Sequence, residues 1–288
     1  MIPLTIMDVR FLPGDSAFLL DDEETSILYD TGFAFTGYAV ADKIKAVLGE
    51  RKLDYIFLTH SHYDHALGSV YIAKRYPEVK IVAGEYATRI FAKDSAKSVM
   101  RDLDRKFAAK CGMEDYEDLI DELRVDIPVA DGDVIRAGKM TFRVINLPGH
   151  TRCSVGFYLE ENKLLLNSET IGVYDGNSMV VPSYLIGYET TLESISKVEA
   201  LEIENVLMPH FGLLDKEQTA RYLKLARKAA VDTADFIKAE LRKGSGNREI
   251  IEKMKERFYY GYIKTIYPID AMELNSDIMI NLIKKECM

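Results

Sequence analysis

The stretch Thr59-His60-Ser61-His62-Tyr63-Asp64-His65 places three histidines and a carboxylate within six consecutive positions. The whole 288-residue chain has five histidines, so this density is not background composition. Just upstream, residues 53–59, with Tyr55, Ile56, Phe57 and Leu58, read as a buried strand, and residues 66–75 have the composition of a helix opening at a turn. The histidines therefore sit where a strand ends and a helix begins. Side chains two positions apart on an extended segment share a face, so His60 and His62 can offer two imidazoles to one cation. The turn then carries Asp64 and His65 elsewhere. Neutral imidazole and carboxylate suit zinc, iron or manganese, and a ligand set that divides in two directions suggests two metal ions.

The other two histidines extend the pattern. His150 lies in Leu147-Pro148-Gly149-His150-Thr151, after the strand-like residues 141–146, and His210 lies in Met208-Pro209-His210-Phe211-Gly212, after Val206 and Leu207. Both stand at strand ends beside Pro and Gly that turn the backbone sharply. One histidine beside a proline is usually a packed core or surface residue. Five in the same kind of position point to a shared site.

The run from His60 to His65 resembles the HxHxDH signature of the metallo-β-lactamase-fold hydrolases. Ile27-Leu28-Tyr29-Asp30-Thr31-Gly32 resembles the first motif of that family, Gly149-His150-Thr151 the third, Ser168-Glu169-Thr170 the fourth and Pro209-His210-Phe211-Gly212 the fifth. The resemblance spans roughly residues 1–214 and implies an α/β fold, an αββα sandwich of two mixed β-sheets with outer helices. It also implies two divalent ions, zinc first with iron or manganese as alternatives, one held by His60, His62 and His150 and the other by Asp64, His65 and His210. Glu169 stands where the family pattern has a bridging aspartate, one methylene longer in reach; it can bridge, bind one ion or hold a water. Asp30 would be a carboxylate that positions the ligand loop, or else a turn-forming residue before Gly32. Asp64, itself a ligand, and Tyr174, which would polarise a substrate carbonyl, are the candidate catalytic residues.

Composition narrows the function. A net charge of −9 and a pI near 5.2, with no basic run, argue against a nucleic-acid partner. Cys111, Cys153 and Cys287 are odd in number and far apart, which does not make a disulfide framework, and Cys153 reads as a buried inert thiol. Asp8 and Arg10 interrupt the N-terminal apolar run, and no apolar stretch approaches membrane-spanning length. The expectation is a cytoplasmic enzyme acting on a small molecule, with neither nucleic acid nor membrane as partner.

Along the chain, residues 4–11, 17–20 and 24–29 read as a β-meander, 39–48 as a helix and 80–83 as a strand. Residues 91–124 are charged and free of proline, with Val99, Met100, Leu103, Phe107, Leu119 and Leu123 spaced like helix faces. They read as a helical insertion, overhanging the cleft or standing as a solvated hairpin. Strands follow at 125–130, 133–135, 139–146, 154–159 and 163–166. Residues 215–288 form a helical extension, broken at Gly244-Ser245-Gly246 and carrying an aromatic cluster of Phe258, Tyr259, Tyr260, Tyr262 and Tyr267. That extension either caps the site or forms a homodimer interface.

The expected activity is hydrolysis of a small ester-type substrate, an acyl thioester first, by a water that two cations acidify. The alternatives are a phosphodiesterase or lactonase of the same fold, and a regulatory or binding protein with incidental hydrolysis.

Overall fold

The computed structural model describes residues 2–288. One six-stranded sheet contains β1 (Thr5–Asp8), β2 (Phe18–Asp21), β3 (Ser26–Tyr29), β4 (Tyr55–Leu58), β5 (Lys80–Gly84) and β6 (Ile127–Val129) in that spatial order. After it come β7 (Val134–Ala137), β8 (Met140–Asn146), β9 (Val155–Leu159), β10 (Leu164–Leu166), the short hairpin β11 (Val173–Tyr174) and β12 (Val180–Val181), then β13 (Asn205–Met208) and β14 (Gly212–Leu214). The second six-stranded sheet has the order β14-β13-β10-β9-β8-β7. Both sheets are mixed: β3, β4, β5 and β6 run parallel in the first, and β10 and β13 in the second.

Residue alternation explains the layering. Leu19, Leu28, Ile56 and Ile81 are register partners across β2 to β5, and all lie in the core on the outer face of the first sheet. Their neighbours Leu20, Ile27, Tyr29, Phe57 and Val82 point inward and meet Phe142, Phe157 and Leu166 of the second sheet. A strand apolar at every position is what burial on both faces demands. The outer face of the first sheet is covered by α1 (Gly37–Leu48), α2 (Tyr63–Ala66), α3 (Gly68–Arg75), α4 (Glu85–Phe91) and α5 (Asp94–Cys111). That of the second packs on α6 (Tyr188–Glu199) and α7 (Lys216–Arg242), with Leu165 and Val206 against Ile195, Tyr222 and Ala226. The result is the αββα sandwich.

The segment 91–124 is one helix with an irregular return. Gly112, at φ 69°, ends α5 with its N–H on Ala108 and Ala109, a left-handed cap that glycine adopts without strain. Leu119 and Leu123 are buried, yet they reach the core from coil flanking a short 3-10 turn. Their spacing imitated a helix without making one. The extension is more regular: Asp215 and Gln218 form a reciprocal capping box at the start of α7. Then follow α8 (Asn247–Phe258), α9 (Gly261–Ile266) and α10 (Ile269–Cys287), which bury Ile237, Met254, Ile263 and Ile280 together with Tyr184 and Tyr188. Among the described residues no helix is long and apolar enough to cross a membrane.

One close approach ties the first motif to the second. A Cβ on Gly68 would lie 2.1 Å from the Thr31 carbonyl oxygen, while Gly68 N–H donates to Gly32 and Thr31 N–H to His65. Backbone cannot step aside as a flexible side chain can. Gly68→Ala is therefore expected to destabilise the fold by about 1–3 kcal/mol, as overpacking does elsewhere. The check is a lowered denaturant midpoint at unchanged slope; an unaltered midpoint would show that the two loops have slack.

Candidate metal centre

Each sheet delivers side chains to one edge of the sandwich. β4 runs into Thr59 and His60, and His62 is the extended residue preceding α2, whose single turn holds Asp64 and His65. His150 follows β8, Glu169 opens a 3-10 turn after β10, and His210 follows β13. The structure brings these seven residues together. His60, His62, His150 and Glu169 form one group of ligand atoms within 4.8 Å of one another, and Asp64, His65 and His210 form a second. Glu169 faces both, with Oε2 2.9 Å from His150 Nε2 and Oε1 3.3 Å from His210 Nε2.

The hydrogen-bond pattern leaves lone pairs aimed inward. His210 Nδ1 lies 2.9 Å from the Gly14 carbonyl, which only accepts, so Nδ1 carries the proton and Nε2 a lone pair. His65 Nδ1 likewise faces the Asp30 carboxylate at 2.8 Å. The two Nε2 atoms then confront each other at 3.2 Å, and His150 Nε2 meets His62 Nδ1 at 2.9 Å. His60 Nε2 and Glu169 Oε1 are buried without any hydrogen-bond partner. Each such orphan costs roughly 1–3 kcal/mol. A divalent cation in each group satisfies all of them, and imidazole with carboxylate and no thiolate is a donor set for zinc, iron or manganese.

Protonation follows the same geometry. Burial, reinforced by the neighbouring imidazoles, pushes His60 and His62 well below the ordinary histidine range, which keeps them in the neutral form that binds a cation. Burial would also depress His65, but Asp64, Asp30 and Glu169 outweigh it and, with no cation bound, push it up to about 9, so a cation at Nε2 would take the place of a proton there. Burial opposes ionisation of Glu169, yet His150 and His210 hold it well below the usual carboxylate range.

A set of contacts behind the ligands fixes their orientation. Asp30, at φ 52°, receives Ser16 Oγ at 2.9 Å and Thr59 N–H at 2.8 Å besides His65. Thr59 Oγ1 in turn lies 2.9 Å from His60 Nδ1. Asp30 thus contacts His65 directly and His60 through Thr59, besides occupying the turn before Gly32. Ser183 meets His150 Nδ1 through its hydroxyl at 2.6 Å. His210 sits at φ 61°, a costly conformation for a non-glycine residue, with its carbonyl accepting from the Tyr262 hydroxyl at 2.6 Å and from Arg10.

A cleft of about 220 Å³ opens over the cluster, lined by His62, Asp64, His150 and Glu169 at its floor. Tyr63, Leu103, Phe107, Tyr267, Leu274 and Asn275 contribute to its walls. A larger hollow beside Asp42, Arg51 and Arg75 contains none of the seven residues. Tyr174 is a correction: its hydroxyl donates to the Asn177 carbonyl at 2.8 Å, its ring packs between Phe211 and Tyr222, and it does not line the cleft. The β11–β12 hairpin turns that ring onto α7. Two phenols line the cleft instead, Tyr63 inside the histidine motif and Tyr267, which lies 57 residues beyond His210, a separation that carries no local signal. Cys153 is buried, with Sγ on Ser61 Oγ at 3.2 Å, and belongs to neither group.

Removing the Asp30 side chain should weaken metal binding about 10- to 100-fold, the usual cost of losing such a support. Competition against a calibrated chelator measures this; Asp30→Ala binding as tightly as the parent would exclude the role. Chelation of the parent protein should lower its unfolding midpoint, and added zinc should restore it, because binding to the folded state alone stabilises that state.

Residues 12–210 match the family model of the metallo-beta-lactamase superfamily. The chain is 27% identical over 172 residues to the acyl-coenzyme A thioesterase MBLAC2 of Gallus gallus, an alignment covering 57% of this chain and 58% of the relative. It is 25% identical over 190 residues to the atrochrysone carboxyl ACP thioesterase AgnL7 of Paecilomyces divaricatus, covering 65% of this chain and 48% of the relative. It therefore spans less than two thirds of either. Among solved structures, the metallo-beta-lactamase family protein TTHA1429 from Thermus thermophilus matches with a TM-score of 0.64 at 17% identity, over 98% of this chain and 93% of its own, a likeness of fold alone. Because the family match runs through all seven clustered residues, the chain belongs to the metallo-beta-lactamase superfamily.

Proposed function

We propose that this chain is a metal-dependent hydrolase of small acyl thioesters. His60, His62 and His150 would hold one divalent ion and Asp64, His65 and His210 a second, with Glu169 placed between the two groups and available to either. The observation that carries the proposal is the Glu169 carboxylate, whose two oxygens face His150 and His210 at the floor of a cleft. Zinc is the first choice for both positions, with iron or manganese as alternatives. Divalent ions at such sites acidify a water, whose pKa of about 15.7 falls to about 7 on a single zinc, and polarise a carbonyl oxygen.

The protein's own contribution is orientation and exclusion. Asp30 and Gly14 keep the protons of His65 and His210 on Nδ1, so that both Nε2 atoms stay free for ligation. Asn275 Nδ2 donates to the Tyr267 oxygen, which leaves the phenolic proton free for a group in the cleft. Leu103, Phe107 and Leu274 present apolar surface that suits an acyl chain and keeps bulk water from it. The two relatives named as thioesterases support thioesters over lactones and phosphodiesters. All seven proposed ligands come from one chain, so the site needs no second copy, and the substrate is a small molecule.

The test is a panel of acyl thioesters, lactones and phosphodiesters assayed with zinc, manganese or iron. Thioesters should exceed the other classes, chelator should abolish turnover, and Glu169→Gln should lose metal and activity together while Tyr174→Phe keeps both. Full turnover by the metal-free protein, or phosphodiesters leading the panel, would overturn the proposal.

A further inference from the structure

Leu103, Lys106, Phe107 and Lys110 of α5 all line the cleft, and their three- and four-residue spacing puts them on one helix face. The other cations of this helix turn are committed elsewhere. Arg101 and Arg105 both contact Asp118, at 2.6 and 2.8 Å, on the opposite side of α5. Lys106 has no ion pair or side-chain hydrogen bond among the described residues. Lys110 meets only Asp270, at 2.6 Å, across the mouth from the start of α10. Lys110 stands in the last turn of α5, where a cation suits the helix dipole, but Lys106 four residues earlier gains no ion pair and is weakly repelled by it. The chain as a whole carries −9, yet two lysines stand at the entrance to its metal cleft. Three carboxylates share the lining, Asp64, Glu169 and Asp270; the first two belong to the candidate metal groups, which leaves the mouth itself two lysines against Asp270, an excess of positive charge that concentrates anions.

We propose that Lys106 and Lys110 form an anion subsite for the carrier half of the substrate. The substrate class is then an acyl thioester of a phosphate- or carboxylate-bearing thiol, its acyl part lying along Leu103, Phe107 and Leu274. This rests on the hydrolase assignment made above. Asp270 holds Lys110 until the incoming anion displaces it. Acyl chain and anion together account for a wall that alternates Leu103, Lys106, Phe107 and Lys110.

The experiment compares one acyl group on three thiols: coenzyme A, which brings phosphates; glutathione, which brings carboxylates; and neutral N-acetylcysteamine. The readout is the ratio of kcat/KM for each charged thioester to that for the neutral one, in zinc-loaded full-length protein. Lys106→Ala/Lys110→Ala should lower that ratio about ten-fold, the scale of a charge-assisted hydrogen bond. Asp270→Asn should raise it, because Lys110 is released. Added salt should lower it in the parent. The charged thiol with the larger parent ratio identifies the anion. If the bridge between Lys110 and Asp270 is only a clamp, Lys110→Ala and Asp270→Asn shift the ratio in the same direction, and the proposal fails. An unchanged ratio in the double variant, with its unfolding midpoint intact, overturns it as well. Should the parent turn over no thioester at all, the hydrolase assignment fails, and calorimetric titration with coenzyme A and glutathione still decides the subsite: binding of one of them, lost in the double variant, upholds it, and equal or absent binding ends it.

Discussion

Two imidazole nitrogens, on His65 and His210, face each other 3.2 Å apart although the residues lie 145 positions apart in the chain. Their other nitrogens are committed to Asp30 and to the Gly14 carbonyl, so neither ring can turn away to relieve the contact. Lone pairs so opposed in a buried site need a positive charge between them, and the rest of the arrangement follows from that need. Glu169 supplies counter-charge from below, and Asp64 supplies it from the side. Fold and cation are coupled here: the sandwich edges meet at a point where closure without a cation leaves acceptors unpaired.

Two of the four described non-glycine residues at positive φ lie at the same edge. Asp30 and His210 both adopt positive φ, and both are held by several independent contacts. The contacts at His210 come from the two ends of the chain, Arg10 near the start and Tyr262 in the helical extension. The extension therefore does more than cover the cleft. It braces the backbone of a ligand residue, and through Tyr267, Asn275 and Leu274 it builds one wall of the space above. The opposite wall belongs to α5, inserted between β5 and β6. The clustered side chains come from strand ends and the short α2, while the walls of the cleft come from α5 and the C-terminal helices.

Strand identity was legible wherever apolar runs ended in Pro, Gly or histidine, because pleat period and turn chemistry act over a few residues. The β-meander, the strand before His60 and the long helix after Asp215 are of this kind. The return from α5 was not. Leu119 and Leu123 are buried like residues on a helix face, but packing against neighbouring elements, not helical geometry, put them there. Periodicity reports burial first and conformation second.

By itself the sequence determined that the five histidines stand near strand ends, because histidines beside turn residues mark where a strand stops and a side chain faces the edge of a sheet. Tertiary structure alone decided that Tyr267 and not Tyr174 lines the cleft, and which lysines stand at its mouth. Tyr174 and Tyr267 are equivalent as isolated residues; a hairpin folds one onto α7, and the entry into α10 sets the other over the metal ligands. Such choices depend on contacts between segments distant in the chain, and no local pattern encodes them.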